Sequence, residues 1–251
     1  LLFDVACTMY DITLVPIYDT LGEEATAFAF RQTHMETCAM TVNHISPILK
    51  QKQNESFSAL RNIIIMDPIN LTPELEDQSR VNGIKLIRWN ELSAAGRQNL
   101  HKWAEVSPKS IYAFSYTSGT TGEPKGAMLS HENIMAGSLA LRDVVVPRPD
   151  DAYLNYLPMA HVMERLIING CIWFNIKIGV FSGDVLKLKE DLAVFKPTLF
   201  VSVPRLFNRF YDTIQSGLKE KSGFARSLFN RGIKTKIDRL HSSCSYDHWL
   251  Y

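Results

Sequence analysis

Short apolar runs alternate with segments of helical period from one end of this sequence to the other. Such runs indicate buried strands, whereas apolar residues spaced three or four apart indicate amphipathic helices. This alternation is typical of an α/β architecture with mostly parallel sheets flanked by helices. The predicted strands cover residues 13–18, 38–42, 62–66, 84–89, 111–116, 152–157 and 198–203, and another follows a buried helix within 166–181. The predicted helices cover 22–31, 45–52, 72–79, about 132–142, 161–174 and 185–195, a short helix capped by Asn90, and a long basic region, 205–240.

A polar loop, residues 116–126, lies between the strand 111–116 and the next helix and reads YTSGTTGEPKG. Its glycines allow the backbone to turn sharply and bring N–H groups close to the oxygens of a ligand. Lys125 adds a compact positive charge. The glycines are Gly119, Gly122 and Gly126, and the hydroxyl donors are Thr117, Ser118, Thr120 and Thr121. The composition therefore predicts a polyphosphate site.

The spacing of this loop excludes the Walker A motif, which needs four residues between its first glycine and a Gly-Lys-Ser/Thr ending. Only two residues separate Gly119 from Gly122, and Lys125 precedes a glycine rather than following one. The GxSxG elbow does not fit either, because Thr117 precedes Ser118. The loop resembles, at every fixed position, the signature of adenylate-forming enzymes, Ser/Thr-Ser/Thr-Gly-Thr-Thr-Gly-x-Pro-Lys-Gly. The alternative is a polar turn that joins a strand to a helix.

Three further segments resemble the long-chain fatty acyl-CoA synthetases within that superfamily. They read YDTLG at 18–22, LPMAHVMER at 157–165 and PTLFVSVPRLFNRFYD at 197–212. Met159 and Met163 stand where the family usually has Leu and Phe, which keeps bulk but loses shape definition. The resemblance covers nearly the whole chain and is weakest between residues 50 and 110.

Composition narrows the remaining function classes. The formal net charge of +1 gives no electrostatic argument for nucleic-acid binding. The four cysteines lie far apart, which favours reduced thiols in a cytosol-facing protein over a disulfide framework. Basic residues concentrate after Arg205, as expected of a solvated helix face, or alternatively of a membrane-surface or coenzyme-binding patch. The apolar run 166–181 is short and interrupted by polar residues, so it predicts a buried helix and strand rather than a membrane span.

The resemblance implies a two-step reaction that uses ATP, Mg²⁺ and coenzyme A. A long-chain fatty acid would attack the α-phosphorus of ATP, and the thiol of coenzyme A would then attack the acyl-adenylate. The residues assigned by resemblance to the β- and γ-phosphates are Thr117, Ser118, Gly119, Thr120, Thr121, Gly122, Lys125 and Gly126. Lys125 would offset charge on pyrophosphate, and Thr120 would supply a hydroxyl ligand to Mg²⁺. The alternative for Lys125 is a solvent-facing lysine beside a turn.

Two other positions are candidates for the acyl and adenylate pocket. The resemblance places His161 beside this pocket, and the alternative is a buried histidine satisfied by hydrogen bonds near a helix start. Arg205 follows the predicted strand 198–203 and can face the same cleft. Glu164 and Arg165, in turn, are predicted to form a structural ion pair.

The predicted organisation is a first α/β subdomain, residues 1–110, and a second, 111–251, that carries the loop. The sequence starts at Leu1 and stops at Tyr251 inside an aromatic cluster, which predicts a piece of a longer protein. The family's Tyr-Gly-x-Thr-Glu segment, its ribose-binding Thr-Gly-Asp motif and its small C-terminal domain are absent, so residues 1–251 alone are expected to be inactive. By resemblance, the longer protein would attach through an upstream segment to the endoplasmic reticulum or outer mitochondrial membrane.

Two rival interpretations remain open. The chain could belong to another adenylate-forming enzyme, such as a luciferase-like or peptide-synthetase domain, although the segments 18–22 and 204–209 argue against it. It could also be a non-catalytic module that binds a nucleotide or an acyl group.

Overall fold

The computed structural model describes residues 1–18, 20–52, 57–117 and 124–243, and its α/β architecture confirms the predicted fold class. The strands of these residues are β1 (Thr37–Met40), β2 (Asn62–Ile65), β3 (Lys85–Arg88), β4 (Ile111–Thr117), β5 (Lys125–Ser130), β6 (Ala152–Asn155) and β7 (Lys177–Val180). The α-helices are α1 (Leu2–Met9), α2 (Glu23–Thr33), α3 (Ile45–Lys52), α4 (Pro73–Val81), α5 (Trp89–Gln98), α6 (His131–Val144), α7 (Val162–Trp173), α8 (Leu188–Phe195), α9 (Pro204–Lys219) and α10 (Gly223–Ser243). Short 3₁₀ turns lie at Val42–His44 and Val185–Lys187.

A parallel sheet in the order β1-β2-β3 forms the first part of the molecule. Its centre is β2, where Ile63, Ile64 and Ile65 are buried, as a strand covered on both faces requires. Helices α2 and α3 supply half of the remaining apolar side chains. The buried core of this part consists of Ala27, Phe30, Met40, Val42, Ile45, Ile48, Leu49, Phe57, Leu60, Ile63, Ile65 and Ile84.

Helix α4 begins as the sequence predicts. The Thr72 hydroxyl accepts a hydrogen bond from the N–H of Leu75 at 3.3 Å, and Pro73 occupies the first turn, where its missing N–H costs nothing.

The second group of strands forms two pairs. Strands β4 and β5 are antiparallel, and β6 and β7 are parallel. Helices α6 and α7 cover β4, where Tyr112 and Ala113 are buried together with Ile134, and Leu166 packs against them. This packing holds β4 firmly, and β4 leads directly into the glycine–threonine loop.

Three local predictions are wrong. Residues 13–18 make one parallel bridge, between Leu14 and Ala113, instead of a strand, and Pro16 has no N–H with which to extend the pairing. Residues 198–203 likewise make a single bridge, at Leu199, because the Thr198 hydroxyl donates to Asp151 at 2.6 Å and accepts from the N–H of Ala152 at 2.9 Å.

The third error concerns the start of α5. The helix starts at Trp89, one residue before the predicted cap Asn90. A carboxylate oxygen of Glu91 instead accepts a hydrogen bond from the N–H of Arg88 at 3.1 Å, which satisfies the helix start from within the first turn.

The chain divides into two compact units, Leu1–Leu199 and Phe200–Tyr251. The second is described up to residue 243 and contains the basic helices α9 and α10, which cover the predicted long basic helical region, 205–240. The subdomain boundary expected at residue 110 stays a prediction. No helix of the described residues combines the length and apolar character needed to cross a membrane.

Candidate nucleotide-binding site

The glycine–threonine loop joins two strands of a hairpin. Tyr116 pairs with Gly126, and Thr117 pairs with Lys125, at the end of the antiparallel pair β4–β5. The sequence predicts this loop between the strand 111–116 and the next helix, which is α6, but it does not predict β5, which lies between the loop and that helix. The segment KGAMLS has too few apolar residues to indicate a strand alone, and its pairing with β4 supplies the missing constraint.

Both ends of the loop present polar side chains to solvent. Thr117 and Lys125 are exposed, and they face each other across the last pair of the hairpin. The predicted ligand residues between them, Ser118, Gly119, Thr120, Thr121 and Gly122, lie outside the described residues. The structure thus brings together the two described ends of the predicted site.

Gly126 allows the close approach of an aromatic ring. A Cβ atom added to Gly126 would lie 3.1 Å from Cζ of Tyr116 and 3.4 Å from its hydroxyl oxygen. These separations are tighter than normal side-chain contacts, so a glycine lets β5 lie directly on the ring. This role is structural, and it adds to the phosphate-binding role expected from the sequence.

Helix α2 holds the side chain of Tyr116 in place. Its hydroxyl donates a hydrogen bond of 2.6 Å to Oε1 of Gln32, in the last turn of α2. Burial raises the pKa of Tyr116, so the hydroxyl remains a donor at neutral pH. The sequence did not indicate this contact, because 84 residues separate its partners.

The same helix borders open space at the other end of the loop. A cavity of about 800 Å³ is lined by Pro124, by Gln51 of α3, and by residues at the start of α2 that include Gly22, Glu23 and Glu24. Helix α2 therefore flanks the loop at both its Tyr116 side and its Pro124 side.

A buried ionic cluster supports the other end of β4. Nη1 of Arg165, on α7, pairs with Oδ1 of Asp4, on α1. The Tyr112 hydroxyl donates to the same carboxylate at 2.6 Å, and it accepts from Nη1 of Arg165 at 3.1 Å. The pKa of Tyr112 is raised to about 12, mainly by burial and in addition by the neighbouring Asp4. This cluster ties α1, β4 and α7 together.

The predicted ion pair between Glu164 and Arg165 is wrong. Glu164 is 0% exposed, and its carboxylate accepts hydrogen bonds from the hydroxyl of Tyr153, at 2.9 and 2.7 Å, and from Nδ2 of Asn155. Consecutive residues point in directions about 100° apart on a helix, so the two side chains reach different partners. Burial raises the pKa of Glu164, and the hydrogen bonds oppose that shift.

His161 is exposed and caps helix α7. Its Nδ1 atom accepts a hydrogen bond from the N–H of Met163 at 3.2 Å. The alternative of a buried histidine is therefore wrong as regards burial and right as regards the hydrogen bond. Its place beside a substrate stays a prediction.

Arg205 lies in the first turn of α9, in the second unit, where its side chain is exposed. Its predicted role in the substrate cleft also stays a prediction. Among residues 1–18, 20–52, 57–117 and 124–243, no group of three or more His, Cys, Asp or Glu side chains could hold a metal ion.

Comparison with known proteins places this arrangement in a family. Residues 1–236 match the model of the AMP-binding enzymes. The long-chain-fatty-acid–CoA ligase 5 of Rattus norvegicus is 32% identical over 244 residues, which cover 95% of this chain and 35% of the rat protein. The peroxisomal long chain acyl-CoA synthetase 7 of Arabidopsis thaliana is 34% identical over 239 residues, 94% of this chain and 33% of that protein.

Solved structures show the same fold. The adenylation domain of a carboxylic acid reductase from Segniliparus rugosus, solved with AMP and a co-purified carboxylic acid, has a TM-score of 0.70 at 20% identity. It covers 94% of this chain, which in turn covers 40% of that domain. This chain spans about a third of the length of the curated relatives above. Because the model of the AMP-binding enzymes matches residues 1–236, the chain belongs to this family.

Proposed function

We propose that the longer protein to which this chain belongs activates long-chain fatty acids to acyl-CoA through an acyl-adenylate, and releases AMP and pyrophosphate. The observation that carries this proposal is the complete adenylate-forming signature at the end of the β4–β5 hairpin, with Thr117 and Lys125 exposed at its two sides. The identity of 32–34% to long-chain synthetases over almost the whole chain supports the fatty-acid substrate.

In this proposal the loop holds the leaving group. Backbone N–H groups of Gly119, Gly122 and their neighbours surround the β- and γ-phosphates, and the hydroxyls of the loop add donors. Lys125 offsets the charge that develops on pyrophosphate as the carboxylate attacks the α-phosphorus. The Thr120 hydroxyl is the proposed ligand to Mg²⁺, which binds mainly through substrate phosphates and water.

His161 and Arg205 are the proposed contacts to the acyl-adenylate. Coenzyme A is the proposed second substrate, and its thiol attacks the adenylate carbonyl. A cytosol-facing membrane of the endoplasmic reticulum or mitochondrion is the proposed location, with attachment through a segment outside these 251 residues.

The test is formation of palmitoyl-AMP and palmitoyl-CoA by the full-length protein. We expect both products in the presence of ATP, Mg²⁺ and coenzyme A, and a loss of about 10²- to 10³-fold in rate for Lys125→Ala. Lys102→Ala, a change to an exposed lysine in the connector after α5, is the matched control and should keep the wild-type rate. Residues 1–251 alone should form neither product.

Two outcomes would contradict the proposal. Activation of amino acids or aromatic acids, but of no fatty acid, would favour another adenylate-forming enzyme. Binding of ATP without adenylation of any acid would favour a non-catalytic module.

A further inference from the structure

We propose that Gln32 and Tyr116 are positioning residues for the phosphate loop. Their hydrogen bond holds the Tyr116 ring under Gly126 and thereby fixes the position of Lys125 opposite Thr117. This inference rests on the proposed function, because it assigns the loop to the phosphates of ATP.

The ring of Tyr116 is in close contact with the hairpin. Tyr116 is 3% exposed, and its ring lies where a Cβ of Gly126 would meet it at 3.1 Å. The backbone of β5 therefore follows the ring, and a movement of the ring moves the strand that lies on it.

A hydrogen bond to helix α2 holds the ring in place. Helix α2 is held in the core by Ala27, Ala29 and Phe30, which are buried, whereas Gln32 lies at its exposed end. The 2.6 Å bond from the Tyr116 hydroxyl to Gln32 thus connects the ring to a firmly packed helix. Because the Gln32 side chain contributes little to the core, its replacement should leave the core packing intact.

The position of the ring also affects the two ends of the loop. Lys125 directly precedes Gly126 in the chain and pairs with Thr117, the residue after Tyr116. A change in ring orientation therefore alters the separation of the two ends of the loop. Catalytic and binding groups lose efficiency when they are displaced by even about 1 Å, so loosening the ring should weaken phosphate binding.

The experiment uses the full-length protein and three variants. Tyr116→Phe removes the donor and keeps the ring, Gln32→Met removes the acceptor at similar size, and Gln32→Glu keeps an acceptor oxygen. Tyr10→Phe is the matched control, because it removes a hydroxyl that bonds to the carbonyl of His101 at 3.3 Å, away from the loop. The measured quantities are the KM for ATP, the KM for palmitate and the melting temperature without ligand.

We expect Tyr116→Phe and Gln32→Met each to raise the KM for ATP by about two- to tenfold, the equivalent of one hydrogen bond. The KM for palmitate should stay at the wild-type value, the melting temperature should fall by no more than the few degrees that one hydrogen bond contributes, and the double variant should be no worse than either single one. Gln32→Glu should retain most of the ATP affinity, and Tyr10→Phe should retain all of it.

The contrary results are distinguishable from failure of the proposed function. A lower melting temperature with an unchanged KM for ATP would show a purely structural bond and overturn the inference alone. The same holds if all variants bind ATP as the wild type does. If the wild-type protein binds no ATP, the proposed function fails, and the inference fails with it.

Discussion

The hairpin β4–β5 and the start of helix α7 both carry charged or polar residues that the sequence singles out, but they use them in opposite ways. At the hairpin, Thr117 and Lys125 are exposed on top of a buried tyrosine. On α7, Glu164 and Arg165 are buried, and each is held by partners from other elements. The hairpin therefore keeps its polar groups available to a ligand, whereas α7 directs its polar side chains into buried contacts with other elements.

The largest loss of stability is expected from Arg165→Met. The change leaves the carboxylate of Asp4 buried without its cation, and the loss of one partner of a buried pair costs about 3–5 kcal/mol of the free energy of unfolding. The melting temperature of the full-length protein should fall by many degrees, and activity should disappear with the folded state.

The matched control for this prediction is Arg80→Met. Arg80 pairs with Asp77 on the surface of α4, where both side chains are mostly exposed, so the loss should stay below about 1 kcal/mol. Equal melting temperatures of the two variants would show that the buried pair does not hold α1, β4 and α7 together.

A smaller effect is expected from Gly126→Ala. The new methyl group would meet the Tyr116 ring at 3.1 Å, and such overpacking costs about 1–3 kcal/mol. Since the ring lies under the loop, the KM for ATP should rise as well. The measurement combines thermal unfolding with ATP kinetics.

Gly96→Ala gives the opposite expectation for the same chemical change. Gly96 lies within α5, and apart from the adjacent backbone of that helix no atom of the described residues is within 4 Å of the added Cβ, so alanine should stabilise the helix by up to about 1 kcal/mol. If the Gly126→Ala variant melts and binds ATP like the wild type, the close ring contact does not constrain the hairpin.

The smallest effect concerns the pH dependence of Glu164. Burial raises its pKa above the ordinary value of 4.5, so the folded protein binds this proton more tightly than the unfolded chain. Its contribution to stability is present below pH 4.5 and is lost as the pH rises through the folded-state pKa. Glutamine does not titrate, so the melting temperature of Glu164→Gln relative to wild type should increase with pH over this range. A difference that falls as the pH rises would contradict the direction of the shift.

Local signals in the sequence were sufficient for much of the fold. The cap at Thr72 with Pro73, the three consecutive isoleucines of β2 and the helical period of α3 depend on neighbours in the chain, and all are confirmed. The signature of the loop is equally local, and the family that it indicates agrees with the family model that matches residues 1–236.

Long-range partners could not be predicted in this way. Arg165 meets Asp4 across 161 residues of sequence, and Tyr116 meets Gln32 across 84. Strand β5 could not be predicted for the same reason. The segment KGAMLS is extended because it pairs with β4. Proximity in the sequence suggests a pair between Glu164 and Arg165, whereas the tertiary contacts give Glu164 its partners on β6 and Arg165 its partner on α1.

The central proposal is that Lys125 and the loop beside it serve adenylation of a fatty acid. It is tested most directly by the palmitate-dependent exchange of labelled pyrophosphate into ATP, measured with the full-length protein and with Lys125→Ala. We predict exchange by the wild type that requires palmitate and Mg²⁺, and a loss of about 10²- to 10³-fold in the variant at an unchanged melting temperature. Exchange at the wild-type rate by Lys125→Ala, or no exchange by the wild type with any fatty acid, would contradict it.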